Sequence, residues 1–252
     1  MRLYDYTASC NCYKVRLLLS HLGIEYERVP VDIFAGESQT PEHLARNPAG
    51  RTPVLELDSG ETLAESNAIL LFLARGTAYL PAEPLEEARV WQWLFFEQNL
   101  LEPNVGGARF WRLTGRDEQR REAWEGLRAS GVAALGILER HLAGNEFLVS
   151  GRYTVADIGL YGYTHAAHEG EIDLEPLPAV RAWLARAAIP VGAYTEFYWT
   201  VNARALMNFV SLRAADTAQR EIRRYADACE LFLAEKMPVT HASFVASGRI
   251  AP

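Results

Sequence analysis

Residues 2–23 constrain this chain more than any other stretch. Arg2-Leu-Tyr-Asp-Tyr6 alternates as a strand does, and Lys14-Val-Arg-Leu-Leu-Leu-Ser-His-Leu22 carries an apolar helical face at Val15, Leu18, Leu19 and Leu22. Gly23 is suited to end that helix, because glycine takes the left-handed conformation of a C-terminal cap without steric cost. Thr7-Ala-Ser-Cys-Asn11 then falls at the helix start. Unpaired N–H groups and the positive end of the helix dipole favour an anion there, a thiolate for instance.

The next elements keep the same alternation of strand and helix. Tyr26-Glu-Arg-Val-Pro-Val-Asp32 reads as a second strand with Pro30 at its edge or end. Thr40-Pro-Glu-His43 reads as a helix start, Thr40 capping and Pro41 in the first helical position, and Asn47-Pro-Ala-Gly50 as a turn. Thr52-Pro-Val-Leu-Glu-Leu57 and the short Glu61-Thr-Leu63 are strands joined by the hairpin turn Asp58-Ser-Gly60. Ser66 starts a helix whose apolar run, 69–73, packs on the sheet. A βαβ unit followed by ββα can bury one small core. Pro53 lacks a ladder donor, and a cis Thr52–Pro53 bond at the sheet rim is one way to accommodate it.

The pattern changes at 79–86, a linker with two prolines in Tyr79-Leu-Pro-Ala-Glu-Pro-Leu85. Residues 1–78 form the first domain, and 87–187 form a second whose periodicity is helical throughout. Pro103, Gly106 and Gly107 interrupt or bend the helix before Ala108-Arg-Phe-Trp-Arg-Leu113. Residues 117–142 form a long amphipathic helix, and Thr154-Val-Ala-Asp157 a capping box in which Asp157 is structural. Pro178 opens the last helix of this domain. Residues 188–252 are an extension: 191–210 is aromatic-rich, Asp216-Thr-Ala-Gln219 offers a capping box for a helix to about 235, and Phe244 and Val245 can anchor the tail.

The formal charge of −7, from 32 acidic and 25 basic residues, argues against a general nucleic-acid binder, which needs a basic surface. No apolar run reaches the length of a membrane span, and Met1 leads directly into the first strand, so neither membrane insertion nor a signal peptide is expected. The three cysteines, at 10, 12 and 229, form neither a Cys-x-x-Cys motif nor a disulfide framework, which points to a reducing, cytoplasmic setting. His165 and His168 have no third ligand at convincing spacing, so no metal is expected.

Four motifs in order carry a specific likeness: Leu3-Tyr-Asp-Tyr with Ser9-Cys-Asn-Cys-Tyr-Lys-Val-Arg16, Asn47-Pro-Ala-Gly-Arg-Thr-Pro-Val54, Leu63-Ala-Glu-Ser-Asn-Ala-Ile69, and Gly151-Arg-Tyr-Thr-Val-Ala-Asp157. Through them residues 1–187 resemble the cytosolic glutathione transferases, serine-type members most closely. The resemblance implies an α/β, thioredoxin-like first domain, an all-helical second domain and a homodimer, with glutathione as co-substrate and a small electrophile as second substrate. It implies that Thr52, before the cis-proline Pro53, pairs with the cysteinyl backbone of glutathione. Glu65 and Ser66 hold the γ-glutamyl end, and Gln39 and Arg51 are the candidates for the glycyl end. Ser9 stands where the serine-type enzymes place the hydroxyl that stabilises the thiolate. Cys10 stands where thiol-transferring members place a low-pKa cysteine if the turn shifts by one. Asn11 orients the sulfur or forms the turn, and Tyr4 and Tyr6 are weaker catalytic candidates. Arg109, Phe110 and Trp111 are candidates for the second-substrate pocket or for helical core. Conjugation by thiolate attack is the leading activity. A Cys10 thiol-disulfide reductase, a glutathione-dependent isomerase and a non-enzymatic binding protein are the alternatives.

Overall fold

A computed structural model describes residues 1–187. The readings made on 188–252, including the Asp216 capping box and the role of the extension, lie outside the described residues.

The first elements are β1 (Arg2–Asp5), α1 (Cys10–Leu22), β2 (Glu27–Pro30), α2 (Pro41–Arg46), β3 (Val54–Glu56), β4 (Thr62–Ala64) and α3 (Ser66–Ala74). The strands form one sheet in the order β2-β1-β3-β4. β1 pairs parallel with β2 and antiparallel with β3, and β3 pairs antiparallel with β4. This is the thioredoxin-like arrangement. Alternation along the strands sorts the side chains by face. Leu3 and Leu55 pack with Val15, Leu19 and Ile69 of the two helices, whereas Tyr4 and Val54 pack on the other face with Val31.

The local signals of this half are realised as read. Gly23 ends α1 at φ 64°, its N–H bonding back to Ser20 O. Thr40 caps α2 through the His43 N–H, with Pro41 in the first turn. The Thr52–Pro53 bond is cis.

The second domain is all-helical: α4 (Pro84–Phe96), a π-helical stretch over Glu97–Gly106, α5 (Gly107–Thr114), α6 (Arg116–Gln119), α7 (Arg121–Leu142), α8 (Val155–Thr164) and α9 (Pro178–Ala187). Three boundaries differ from expectation. The helix expected over 117–142 is broken at Arg120, whose φ of −137° and ψ of 53° are not helical, into α6 and α7. α4 begins at Pro84, inside the 79–86 linker, because the Glu83 carboxylate caps it by accepting from the Leu85 and Glu86 N–H groups. Pro103 does not break the chain into separate helices, since the wider π turns carry it into α5.

α8 is the central strut. Every residue from Val155 to Thr164 is buried. Gly159 and Gly162 admit their neighbours: a Cβ at Gly159 would lie 2.6 Å from Leu94 of α4, and one at Gly162 2.6 Å from Lys14 of α1. The expected capping box is present at its start. The Asp157 carboxylate accepts from Thr154 N–H (2.9 Å), Leu148 N–H (3.1 Å) and Trp183 Nε1–H (2.9 Å). Burial raises its pKa, against these bonds. The Thr154 hydroxyl also donates to this carboxylate (3.1 Å), so replacing Asp157 with Ala strands four buried donors, and D157A should lose about 3–5 kcal/mol in urea unfolding followed by circular dichroism.

Candidate functional site

Ser9 is the N-cap of α1: its backbone is extended, and its Oγ accepts from the Cys12 N–H at 3.3 Å. A hydroxyl that accepts at a helix start has its own proton left to donate outward. The turn before it is braced from below. Asp5, fully buried at the end of β1, is ion-paired with Arg16 of α1 and Arg28 of β2. Arg16 also reaches Thr7 O (3.0 Å), and Arg28 binds the Thr7 hydroxyl. This clamp was not read from the sequence, where a lone Asp at a strand end carries no such signal.

Cys10 lies next to Ser9 but faces inward. Only 5% of it is exposed, and burial pushes its thiol pKa up even though Arg109 and other nearby cations pull it down. The low-pKa thiol expected at this helix start is therefore corrected: dehydration outweighs the helix dipole. Cys12 is fully buried, its thiol pushed up to about 12 by that burial; its Sγ accepts from the Tyr6 N–H (3.4 Å), and Thr52 lies beside it.

Thr52 is set by an anchor behind it. The Arg51 carbonyl bonds to His43 Nε2 (3.0 Å) and accepts from Asn47 Nδ2 (2.9 Å). His43, buried and in edge contact with the Tyr4 ring, was not singled out in the sequence. Gln39 donates to Gly50 O (2.8 Å) in the same loop, and the Arg51 side chain is exposed.

The third corner is the start of α3. Glu65 stands before it at φ 66°, a conformation costly for a residue with a Cβ, and gives no side-chain cap. The first N–H groups of α3 are thus without a side-chain cap at an exposed corner. Ser66 is buried, and its hydroxyl donates to Asn11 Oδ1 at 3.0 Å, which ties α3 to the Ser9 turn.

The second domain closes the site from above. Arg109 bonds Glu169 through Nε (2.6 Å) and donates through Nη1 to Ala8 O (3.0 Å). It clamps the Ser9 turn in place of merely lining a pocket. Phe110 stacks on Phe34 (6.3 Å between centroids, 10° between planes), and Phe34 meets Tyr6 edge-on. This aromatic wall spans both domains. Trp111, half-buried, stands about 100° further round α5. The structure thus brings together Ser9, Cys10, Asn11, Thr52, Ser66 and Arg109. Gln39 and Arg51 stay on the loop before Thr52, and Glu65 is exposed.

His165 is buttressed between Tyr13 and Tyr161, its Nδ1 bonded to Tyr161 O (2.7 Å). Burial there pushes its pKa down to about 4. The unfolded chain takes up that proton near 6.5, so stability is full above that pH and falls as the pH drops towards 4. The loss from this group is at most about 3 kcal/mol. H165Q should flatten that part of the pH profile of urea midpoints.

Two alkylation outcomes follow from the cysteine geometry. At pH 7.5 in the folded chain, peptide mass mapping should find Cys10 and Cys12 unmodified by iodoacetamide, and in urea it should find both modified.

Residues 1–75 match the family model "Glutathione S-transferase, N-terminal domain". The chain is 37% identical over 187 residues to a maleylacetoacetate isomerase of Rhizobium meliloti (strain 1021), an alignment covering 71% of this chain and 87% of that protein. A second such isomerase, from Pseudomonas aeruginosa, is 31% identical over 189 residues, covering 72% and 88%. Among solved structures, a glutathione S-transferase from Pseudomonas fluorescens superposes with a TM-score of 0.73 at 45% identity, over 76% of this chain and 98% of that one. A family member from the same species, solved with two glutathione bound, gives 0.65 at 28% identity, over 73% and 86%. Residues 145–239 match a second model, "Thymidylate synthase complementing protein". A 62-residue segment is 52% identical to a flavin-dependent thymidylate synthase of Thermotoga neapolitana, covering 25% of this chain and 29% of that protein.

Proposed function

This chain belongs to the glutathione S-transferase family, and we propose that it binds reduced glutathione and uses the thiolate to isomerise a small conjugated cis-olefin. The observation that carries the reading is the Ser9 hydroxyl at the head of α1, which accepts from the Cys12 N–H and has one proton of its own to donate. A hydrogen bond to the thiolate stabilises its charge and so favours it over the thiol. Thr52 meets the cysteinyl backbone, the start of α3 with Ser66 and Glu65 meets the γ-glutamyl end, and Gln39 and Arg51 meet the glycyl end.

In the reaction proposed, the thiolate adds to one olefinic carbon and the π electrons move onto the conjugated carbonyl as an enolate. Rotation about the bond, now single, brings the substituents trans. The enolate then expels the thiolate and restores the double bond, so glutathione is not consumed and no net proton is taken up. Conjugation shares the first step and differs in its end: the enolate is protonated and the thioether stays. The isomerase names of two relatives favour the first outcome. The aromatic wall of Tyr6, Phe34 and Phe110 suits a flat conjugated substrate.

Disulfide chemistry through Cys10 is disfavoured by its burial. The assembly proposed is a homodimer in a reducing cytoplasm. Exposed Phe72, Trp91 and Phe95 supply the apolar surface for it, Trp91 and Phe95 being in edge contact. The synthase-like segment accounts for 29% of that synthase's length and is left out of this chemistry.

S9A should cut turnover of a cis-enedione about 100-fold while calorimetry still detects glutathione binding, whereas C10S should stay within a few-fold of the parent. Trans product with constant total glutathione thiol marks isomerisation, and loss of thiol in step with product marks conjugation. The opposite pattern, S9A active and C10S dead, refutes the assignment to Ser9.

A further inference from the structure

The chain contains 23 arginines and two lysines, Lys14 and Lys236. Lys14 is the one lysine among the described residues, and it is fully buried. Its ammonium donates to Glu97 Oε1 (2.7 Å) of the π-helical stretch and to Asn11 Oδ1 (2.8 Å) of its own helix, and lies 4.9 Å from the centre of the Tyr163 ring. Arginine does not substitute easily here. The stem runs over Gly162, where even a Cβ would meet Lys14 Cγ at 2.6 Å, and a compact point charge suits the pocket better than a planar fork.

Each partner of Lys14 is committed further. Asn11 Oδ1 also accepts from Ser66 Oγ, so the carbonyl end of this amide is fixed by two donors and Nδ2 is turned away from both. Glu97 Oε2 accepts from Asn67 Nδ2 (2.8 Å) at the start of α3 and from Gln98 Nε2 (2.8 Å). One continuous polar network therefore runs from the second domain through Lys14 to both helix starts on which glutathione is proposed to sit. A buried ion pair is a poor source of net stability and a good way to specify one arrangement.

We propose that the Lys14–Glu97 pair is the positioning element of the glutathione site: seated by the second domain, it holds Asn11 and Ser66 in place beside the Ser9 turn. Lys14 does not touch the reacting atoms. The charges facing it are Glu97 and Glu102 of the π-helical stretch, and its field lowers the thiol pKa of Cys10, at the same helix start, as does that of Arg109. The inference rests on glutathione being the ligand, and two experiments separate its failure from the failure of that reading.

The first uses the wild-type chain. With lysine alone isotope-labelled, the side-chain ammonium spectrum holds two signals, and K236R assigns them. Saturating reduced glutathione should shift the Lys14 signal. An unmoved signal in a sample that calorimetry shows to be saturated overturns the positioning role and leaves glutathione binding intact. Absence of calorimetric binding removes the reading beneath it, and the inference falls with it. The second replaces both charges together, K14M/E97M, so that neither is left buried and unpaired. Ultraviolet titration of the bound thiolate should then give a pKa about one unit higher, and the glutathione Kd should rise about tenfold. A folded double variant with the parental thiol pKa and Kd contradicts the proposal.

Discussion

The architecture depends on charges taken out of water at the junction of the two domains. Lys14 and Glu97 are both fully buried, 83 residues apart in sequence and 2.7 Å apart in space. Burying either alone would cost several kcal/mol, so each requires the other and the surrounding amides. That requirement forbids the helical domain from sliding on the sheet domain. It is met because Gly162 leaves room for the lysine stem and because Leu94 O at the end of α4 and Glu97 Oε2 at the start of the π turns both accept from Asn67 Nδ2 of α3.

A second buried charge cluster does the same job one layer down. Asp5, Arg16 and Arg28 tie β1, α1 and β2 to the Thr7 turn. Arg109 then closes on Ala8 from the other domain. The residues between, from Ala8 to Asn11, are held from below, from above and from the side, and they bear the Ser9 hydroxyl and the Asn11 amide on which the proposed chemistry rests. In the reaction proposed, preorganisation of this kind is what would let a weak donor such as a serine hydroxyl matter, because nothing has to reorganise when charge develops on sulfur.

Local devices were legible in the sequence, because each is encoded within a few residues. Gly23 as a C-cap, Thr40-Pro41 as a helix start and the Thr154–Asp157 capping box follow from backbone chemistry alone, whereas the cis Thr52–Pro53 bond was one of the ways open to accommodate Pro53. Long-range pairing was not. Lys14 sits in a helix that reads as amphipathic, and nothing near it in sequence says that its partner is Glu97. Cys10 misled for a related reason: the helix dipole is a local property, whereas burial is set by residues such as Tyr163 that arrive from the second domain. An interruption and a bend were both open at Pro103, and the π geometry that carries the chain through it has no local signature. The likeness of residues 145–239 to a thymidylate synthase complementing protein is a matter of residue identity, which neither capping nor periodicity can disclose.

The central claim is that a tripeptide thiol spans the Ser9 turn, the Thr52 rim and the start of α3 at once. Titrating the backbone amide signals with reduced glutathione tests it most directly. The account predicts that Ser9, Thr52 and Ser66 shift together along one saturation curve. A titration that reaches saturation elsewhere while these three amides stay fixed would contradict it.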